Sequence, residues 1–262
     1  MMNEVNKTLY IPLYGKAFVS KKGIILNDKT AEVIWEKEGF ELKGKSRSKY
    51  LAYYMGMRSR VFDDWLCTQM SDNADSIVIH IGCGLDSRIN RVGTNGHLWY
   101  DVDFPEVIEE RRRYYSESDK YKMLACDVRE PVLINELPRA KHALIVMEGV
   151  SMYLSPSDLN SLVLRICNSF EKVSLLMDCY TTFAARASKI KNPINDVGVT
   201  EVYGIDDPKG VAAPFIAFIK EHEMTPNRLI EQLAGIEKRI FKTVYAGRTS
   251  KKLYRLYEYQ KG

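Results

Sequence analysis

The strongest constraint on what this chain can fold into is a repeated switch between two periodicities. Short β-rich runs at 76–81 (SIVIHI), 97–103 (HLWYDVD), 121–127 (YKMLACD), 143–149 (ALIVMEG) and 173–180 (VSLLMDCY) are separated by helix-length stretches. Two of those stretches carry start signals: Pro105 near the head of 104–116, and Ser155-Pro156-Ser157-Asp158 at the head of 156–170. Apolar strands alternating with helices predict a parallel sheet covered on both faces. Near the end, 238–246 and 252–259 are again β-rich, with too few residues between them for a helix. They are predicted to pair antiparallel, which gives a mostly parallel seven-stranded sheet finished by a C-terminal hairpin. Residues 1–70 read as a helical N-terminal extension, with Trp35, Tyr53, Tyr54 and Trp65 available for packing. Residues 181–224, punctuated by Pro193, Gly198, Gly204, Pro208, Gly210 and Pro214, read as an irregular insertion after the fifth strand that serves as a lid or acceptor-facing segment. One α/β domain over 1–262 accommodates all of this.

Composition narrows the function classes. A hydrophobic fraction of 45% supports a sizeable core, and a formal charge of +4 is too mild for a nucleic-acid partner. The basic run Arg111-Arg112-Arg113 follows Glu109 and Glu110 and reads as a solvated helix face. Five scattered cysteines with no CxxC pair indicate neither a disulfide framework nor a zinc site, and they fit a reducing cytoplasm. No apolar run reaches the length of a membrane span, so the expectation is a cytoplasmic protein with no membrane partner.

In an open parallel sheet, ligands bind beyond the carboxyl ends of the strands. Every strand here ends in an acid or a glycine turn: Gly82-Cys83-Gly84 after the first, Asp101 and Asp103 on the second, Cys126-Asp127 on the third, Glu148 on the fourth and Asp178 on the fifth. Asp103 follows Gly84 at the spacing at which a carboxylate accepts from ribose hydroxyls. Asp101 shares its strand face and is free to brace the turn. Ser87 stands where a dinucleotide fingerprint needs its third glycine, and no Gly-Lys-Ser/Thr follows, so pyrophosphate ligands are disfavoured. S-adenosylmethionine fits better. It has no phosphate, it uses the turn for close backbone approach, and its cationic end favours an acid such as Glu148.

Taken together, GCGLDSR, YDVDFPEVI, ACDVRE, MEGVSMYLSPSDL and the upstream MRSRVFDDWL resemble the leucine carboxyl methyltransferase family, which includes tetracenomycin-type polyketide O-methyltransferases. The similarity spans roughly 50–180. It implies a Rossmann-like methyltransferase fold and S-adenosylmethionine as cofactor. By resemblance, Arg60 holds the methionine carboxylate, and Gly82, Cys83 and Gly84 carry the ligand on their turn. Asp103 takes the ribose beside Phe104, Asp127 and Val128 face adenine, and Glu148 lies by the methionine end. Arg60 has a competing reading as a helical salt pair with Asp63 or Asp64. Arg58, on a different helix face, could supply the carboxylate-binding fork instead, since only one of the two is expected to enter the pocket.

The acceptor side is less marked. His97 and His142 fall at strand starts, on the wrong edge of the sheet, and His80 reads as a core residue. His222 and Tyr153 remain as candidate catalytic groups, with Tyr180 a weaker one. The expected activity is methylation of a hydroxyl or carboxylate on a small molecule. A protein C-terminal carboxylate, or ligand binding without catalysis, are the alternatives.

Overall fold

A computed structural model describes residues 9–40, 42, 44–188 and 201–262. Part of the insertion predicted at 181–224 therefore lies outside the described residues. Three helices come first: α1 (Tyr10–Lys21), α2 (Lys29–Glu38) and α3 (Lys49–Asp72). The alternating core follows as β1 (Ser76–Ile81), α4 (Arg88–Val92), β2 (Leu98–Asp103), α5 (Pro105–Arg111), β3 (Tyr121–Ala125), α6 (Val132–Glu136), β4 (His142–Met147), α7 (Pro156–Ser169) and β5 (Lys172–Tyr180). The remainder is α8 (Thr182–Ser188), β6 (Ala217–His222), α9 (Asn227–Ile230), α10 (Gly235–Val244), α11 (Gly247–Leu253) and β7 (Tyr254–Lys261).

The strand order is β3-β2-β1-β4-β5-β7-β6, with β7 antiparallel to both β5 and β6. The order reverses between β1 and β4, which pair in parallel from Ser76↔His142 to Ile81↔Met147. That reversal opens the crevice in which such sheets bind ligands. All six β1 residues are buried, as expected for a central strand packed on both faces. One face of the sheet carries α1–α3 and much of the C-terminal helical segment, and the other carries α6 and α7. Local chemistry fixes the ends of the elements. The Ser155 hydroxyl accepts from Asp158 N at 3.1 Å and caps α7, while Asp28 accepts from Ala31 N at 2.9 Å and caps α2.

The last hairpin differs from expectation. Residues 238–246 are not a strand, because most of them belong to α10. Ile236, Ile240 and Val244 recur every four residues, and Phe241 is buried against the core, so the segment follows the helical period despite its β-rich composition. The outer partner of β7 is instead β6, inside the stretch expected to be irregular. It is a largely exposed edge strand with a register shift between Phe218 and Lys220, and it lacks the apolar alternation that marks a half-buried strand. Among the described residues no helix is long and apolar enough to cross a membrane.

Candidate active site

Beyond the carboxyl ends of β1 and β4 lies a cavity of about 590 Å³. Its floor is the turn Gly82-Cys83-Gly84 that β1 runs into. Gly82 (φ +66°) and Gly84 (φ +50°) both adopt the left-handed region that favours glycine. Space is as tight as the backbone is unusual. A Cβ on Gly82 would stand 2.1 Å from Val150 Cγ2, and one on Gly84 would stand 2.8 Å from Leu9 Cδ2. The turn is braced from behind. Arg111, wholly buried rather than on the solvated face expected for its basic run, donates to Gly84 O at 2.9 Å and pairs with Asp101, which also accepts from Tyr121 OH (2.7 Å) and Trp99 Nε1 (2.8 Å). This is the bracing role open to Asp101 from its strand position.

One wall is ionic. Arg58 of α3 is buried and donates from Nε to Glu148 Oε1 (3.0 Å) and from Nη1 to Asp178 Oδ2 (2.9 Å). Glu148 also accepts from Ser59 Oγ at 2.8 Å and pairs with Arg88. Lys16 of α1, 3% exposed, meets Asp86 at 3.1 Å, and Asp86 is shared with Arg88 and Arg91. Burial works to raise both carboxyls, yet Arg91, Lys16 and Arg88 hold Asp86 well below the usual range. In the same way Arg58, Arg88 and Lys16 hold Glu148 at about 2. Asp178 goes the other way: burial raises it against the pull of Arg58 and of Gly149 N, which donates to it at 2.6 Å.

His80 is fully engaged. The Arg88 guanidinium can only donate, so Nε2 accepts from it at 2.8 Å and Nδ1–H faces Asp101 at 3.2 Å. Burial and Arg88 lower its pKa, which keeps the ring neutral.

The rest of the lining is apolar and aromatic, formed by Leu51, Met55, Met152, Val244 and Leu253 together with Tyr54, Tyr153, Tyr180 and Tyr254. Its hydroxyls bond locally: Tyr254 OH to Tyr180 OH at 3.0 Å, and Tyr54 OH with Ser250 Oγ at 2.9 Å. Burial pushes the phenols of Tyr54, Tyr153 and Tyr254 well up.

Gly82, Cys83, Gly84, Glu148 and Tyr153, all expected from the sequence, meet on the wall of this one cavity. Asp103, Phe104, Asp127 and Val128 form an adjacent strip at the ends of β2 and β3, off that wall. The carboxylate of Asp103 is tied to the turn, accepting from Gly84 N (2.7 Å) and Phe104 N (2.8 Å). Burial nevertheless pushes its pKa up to about 6. Asp127 is engaged by Arg129 through Nε at 2.9 Å.

Two expectations fail on geometry. Arg60 points away from the cavity, pairs with Asp64 at 2.7 Å on a half-exposed face and donates to Ile25 O. Between Ala52 and Leu66 only Arg60 and Asp64 are not buried, so helical rotation turns Arg58 inward and Arg60 out. His222, on edge strand β6, is likewise off the cavity wall and pairs with Glu258 at 2.6 Å. Sequence reasoning missed Lys16 altogether. Its signal was a lone lysine inside the apolar run of α1.

The leucine carboxyl methyltransferase family profile matches residues 3–167. The tetracenomycin polyketide synthesis O-methyltransferase TcmP of Streptomyces glaucescens is 27% identical over 238 residues, covering 89% of this chain and 88% of that protein. The S-adenosyl-L-methionine-dependent methyltransferase dpfgK of Gibberella zeae is 25% identical over 227 residues, covering 78% and 76%. Among solved structures, the magnesium protoporphyrin IX methyltransferase of Synechocystis PCC 6803 with bound SAH superposes with a TM-score of 0.51 at 10% identity, covering 89% of this chain and 95% of that one. That likeness is one of fold.

Proposed function

Because this chain belongs to the leucine carboxyl methyltransferase family and is a methyltransferase that uses S-adenosylmethionine, we propose that it methylates a carboxylate oxygen on a small, largely apolar acceptor. The observation that carries this reading is the protonation chemistry of the cavity wall. Among the described residues, Asp86 and Glu148 are ion-paired and held low, His80 has both nitrogens engaged, and burial raises Cys83 and the phenols of Tyr54, Tyr153 and Tyr254. None of these groups is set to take a proton near neutral pH. A hydroxyl acceptor would need such a group, whereas a carboxylate arrives already ionised. The aliphatic and aromatic side of the cavity supports an apolar acceptor body, and the polyketide named for the Streptomyces relative supports a small molecule.

The donor set suits the cofactor. Arg58 and Lys16 are the buried cations facing the cavity, and they would hold the methionine carboxylate. Glu148, carrying full negative charge, would lie by the ammonium and sulfonium. The glycine turn would lie under the ligand, Asp103 would accept from the ribose hydroxyls, and Phe104, Asp127 and Val128 would border adenine. A volume of about 590 Å³ falls within the range of small-molecule sites. When bound, the cofactor supplies an electrophilic methyl group on a sulfonium. The chain's own part is to fix an ionised oxygen in line with that methyl group and to keep water out.

The test is an acceptor panel: apolar carboxylic acids, matched phenols and a leucine-terminated peptide, each incubated with S-adenosylmethionine and read by mass spectrometry. Base-labile methyl esters on the small acids, formed under saturating S-adenosylmethionine at a rate flat from pH 6 to 9, are expected. Methyl ethers formed from the phenols alone, with a rate rising through a titration, would overturn the proposal.

A further inference from the structure

Half of the large apolar side chains that stand exposed among the described residues gather around the mouth of the cavity. Val244 and Leu253 both line the cavity and stand 49% and 41% exposed, so they form part of its rim. Ile240 (36%) and Ile236 (73%) continue the Val244 line along α10, one and two turns away. Phe183, 62% exposed, stands one turn before the cavity-lining Ala187 on α8. These side chains stand out from the surfaces of α8, α10 and α11.

The same region is strongly basic. Residues 235–255 contain seven Lys or Arg against one Glu, an excess greater than the +4 of the whole chain. Lys238 and Lys242 share Glu231, and Lys251 and Arg255 share Glu221. Arg239, Arg248 and Lys252, all exposed, have no acidic partner among the described residues. Protruding apolar side chains beside unpaired cations match a surface with an apolar interior and an anionic skin. A second copy of this chain would bring like charges together, which opposes self-association through this face. The apolar groups also project outward from exposed helix surfaces, which suits insertion into a fluid layer.

We propose that the α8–α10–α11 face docks reversibly on an anionic lipid bilayer. Ile236, Ile240 and Phe183 enter the head-group boundary, Arg239, Arg248 and Lys252 meet lipid phosphates, and the cavity mouth turns toward the membrane. The expectation of no membrane partner rested on the lack of a spanning segment, which does not bear on surface contact.

Cosedimentation of the full-length protein with vesicles tests this. Partition onto vesicles of 70% phosphatidylcholine and 30% phosphatidylglycerol should exceed that onto pure phosphatidylcholine at least tenfold, and should fall severalfold between 0.1 and 0.5 M salt. Ile236→Ser with Ile240→Ser should abolish partition while leaving the melting temperature unchanged. Arg239→Ser, Arg248→Ser and Lys252→Ser together should remove the lipid preference. No partition, or partition that ignores the isoleucine pair, overturns the proposal. So does a dimer in light scattering that the isoleucine substitutions dissolve.

Discussion

The two walls of the cavity are built on opposite plans. On the glycine-turn side, Lys16, Arg58, Arg88, Asp86 and Glu148 are buried charges held by one another, and all but Lys16 are fixed by two or more partners. Over the rest of the lining, Leu51, Met152, Val244, Leu253 and four tyrosines offer shape, and the tyrosine hydroxyls bond chiefly among themselves or to Ser250. A lattice of paired charges tolerates no single removal, because each loss strands a partner in a poorly solvated place. An apolar wall loses only area. The first wall therefore suits a ligand that never changes, and the second suits the part of the reaction free to diverge.

Substitutions on each side should break this contrast or sharpen it, and Arg58→Leu should do most. It leaves Glu148 and Asp178 without their shared cation, so stability should fall by about 3–5 kcal/mol in chemical denaturation. Cofactor binding should be lost to calorimetry even where the protein stays folded. If Arg58→Leu keeps wild-type stability, the ionic wall is not the unit described here.

Next is Asp103, whose folded-state pKa of about 6 lies above the ~3.9 of an unfolded aspartate. The unfolded chain releases this proton first, so the contribution of Asp103 to apo stability falls as pH rises from about 4 to 6. Cofactor affinity should move the other way, tightening on the order of tenfold between pH 5 and 7 as the acceptor for ribose hydroxyls becomes charged. Asp103→Asn should flatten that profile, and a slope that survives in the variant assigns it to another group.

Tyr153→Phe, on the apolar wall, should change the acceptor KM severalfold and leave cofactor affinity within about twofold. Equal effects on both ligands would erase the division between the walls. The smallest effect on catalysis belongs to His222→Ala. The lost bond to Glu258 should cost roughly 1–2 kcal/mol of stability and leave kcat/KM unchanged.

How much of this the sequence disclosed follows the same divide. The five parallel strands were legible because buried strands are short apolar runs with few other readings. The glycine turn and the acids at the strand ends were legible because the sheet dictates where they must fall. Arg58 and Arg60 differ only in rotation about α3. Arg58 lies four and seven residues before Phe62 and Trp65, a periodicity that points it inward, and the resemblance to a family motif drew attention to its neighbour instead. Lys16 was invisible because its partner Asp86 is distant in sequence and composition alone gives a lysine on a helix to solvent, while Arg88, although close to Asp86, also pairs with the distant Asp63 and Glu148. The β6–β7 pairing was hidden because an edge strand needs no alternation, while α10 carries β-branched and aromatic residues at helical spacing.

Glu148 receives its three donors from Arg58, Ser59 and Arg88, and Lys16 reaches Asp86 from the first helix. Contacts of such long sequence separation form only once α1, α3, β1 and β4 have all been brought together. A chain that has not closed them has no finished place for the cofactor. Ligand uptake consequently reports the finished molecule alone, and every increment of cofactor pulls the population toward it.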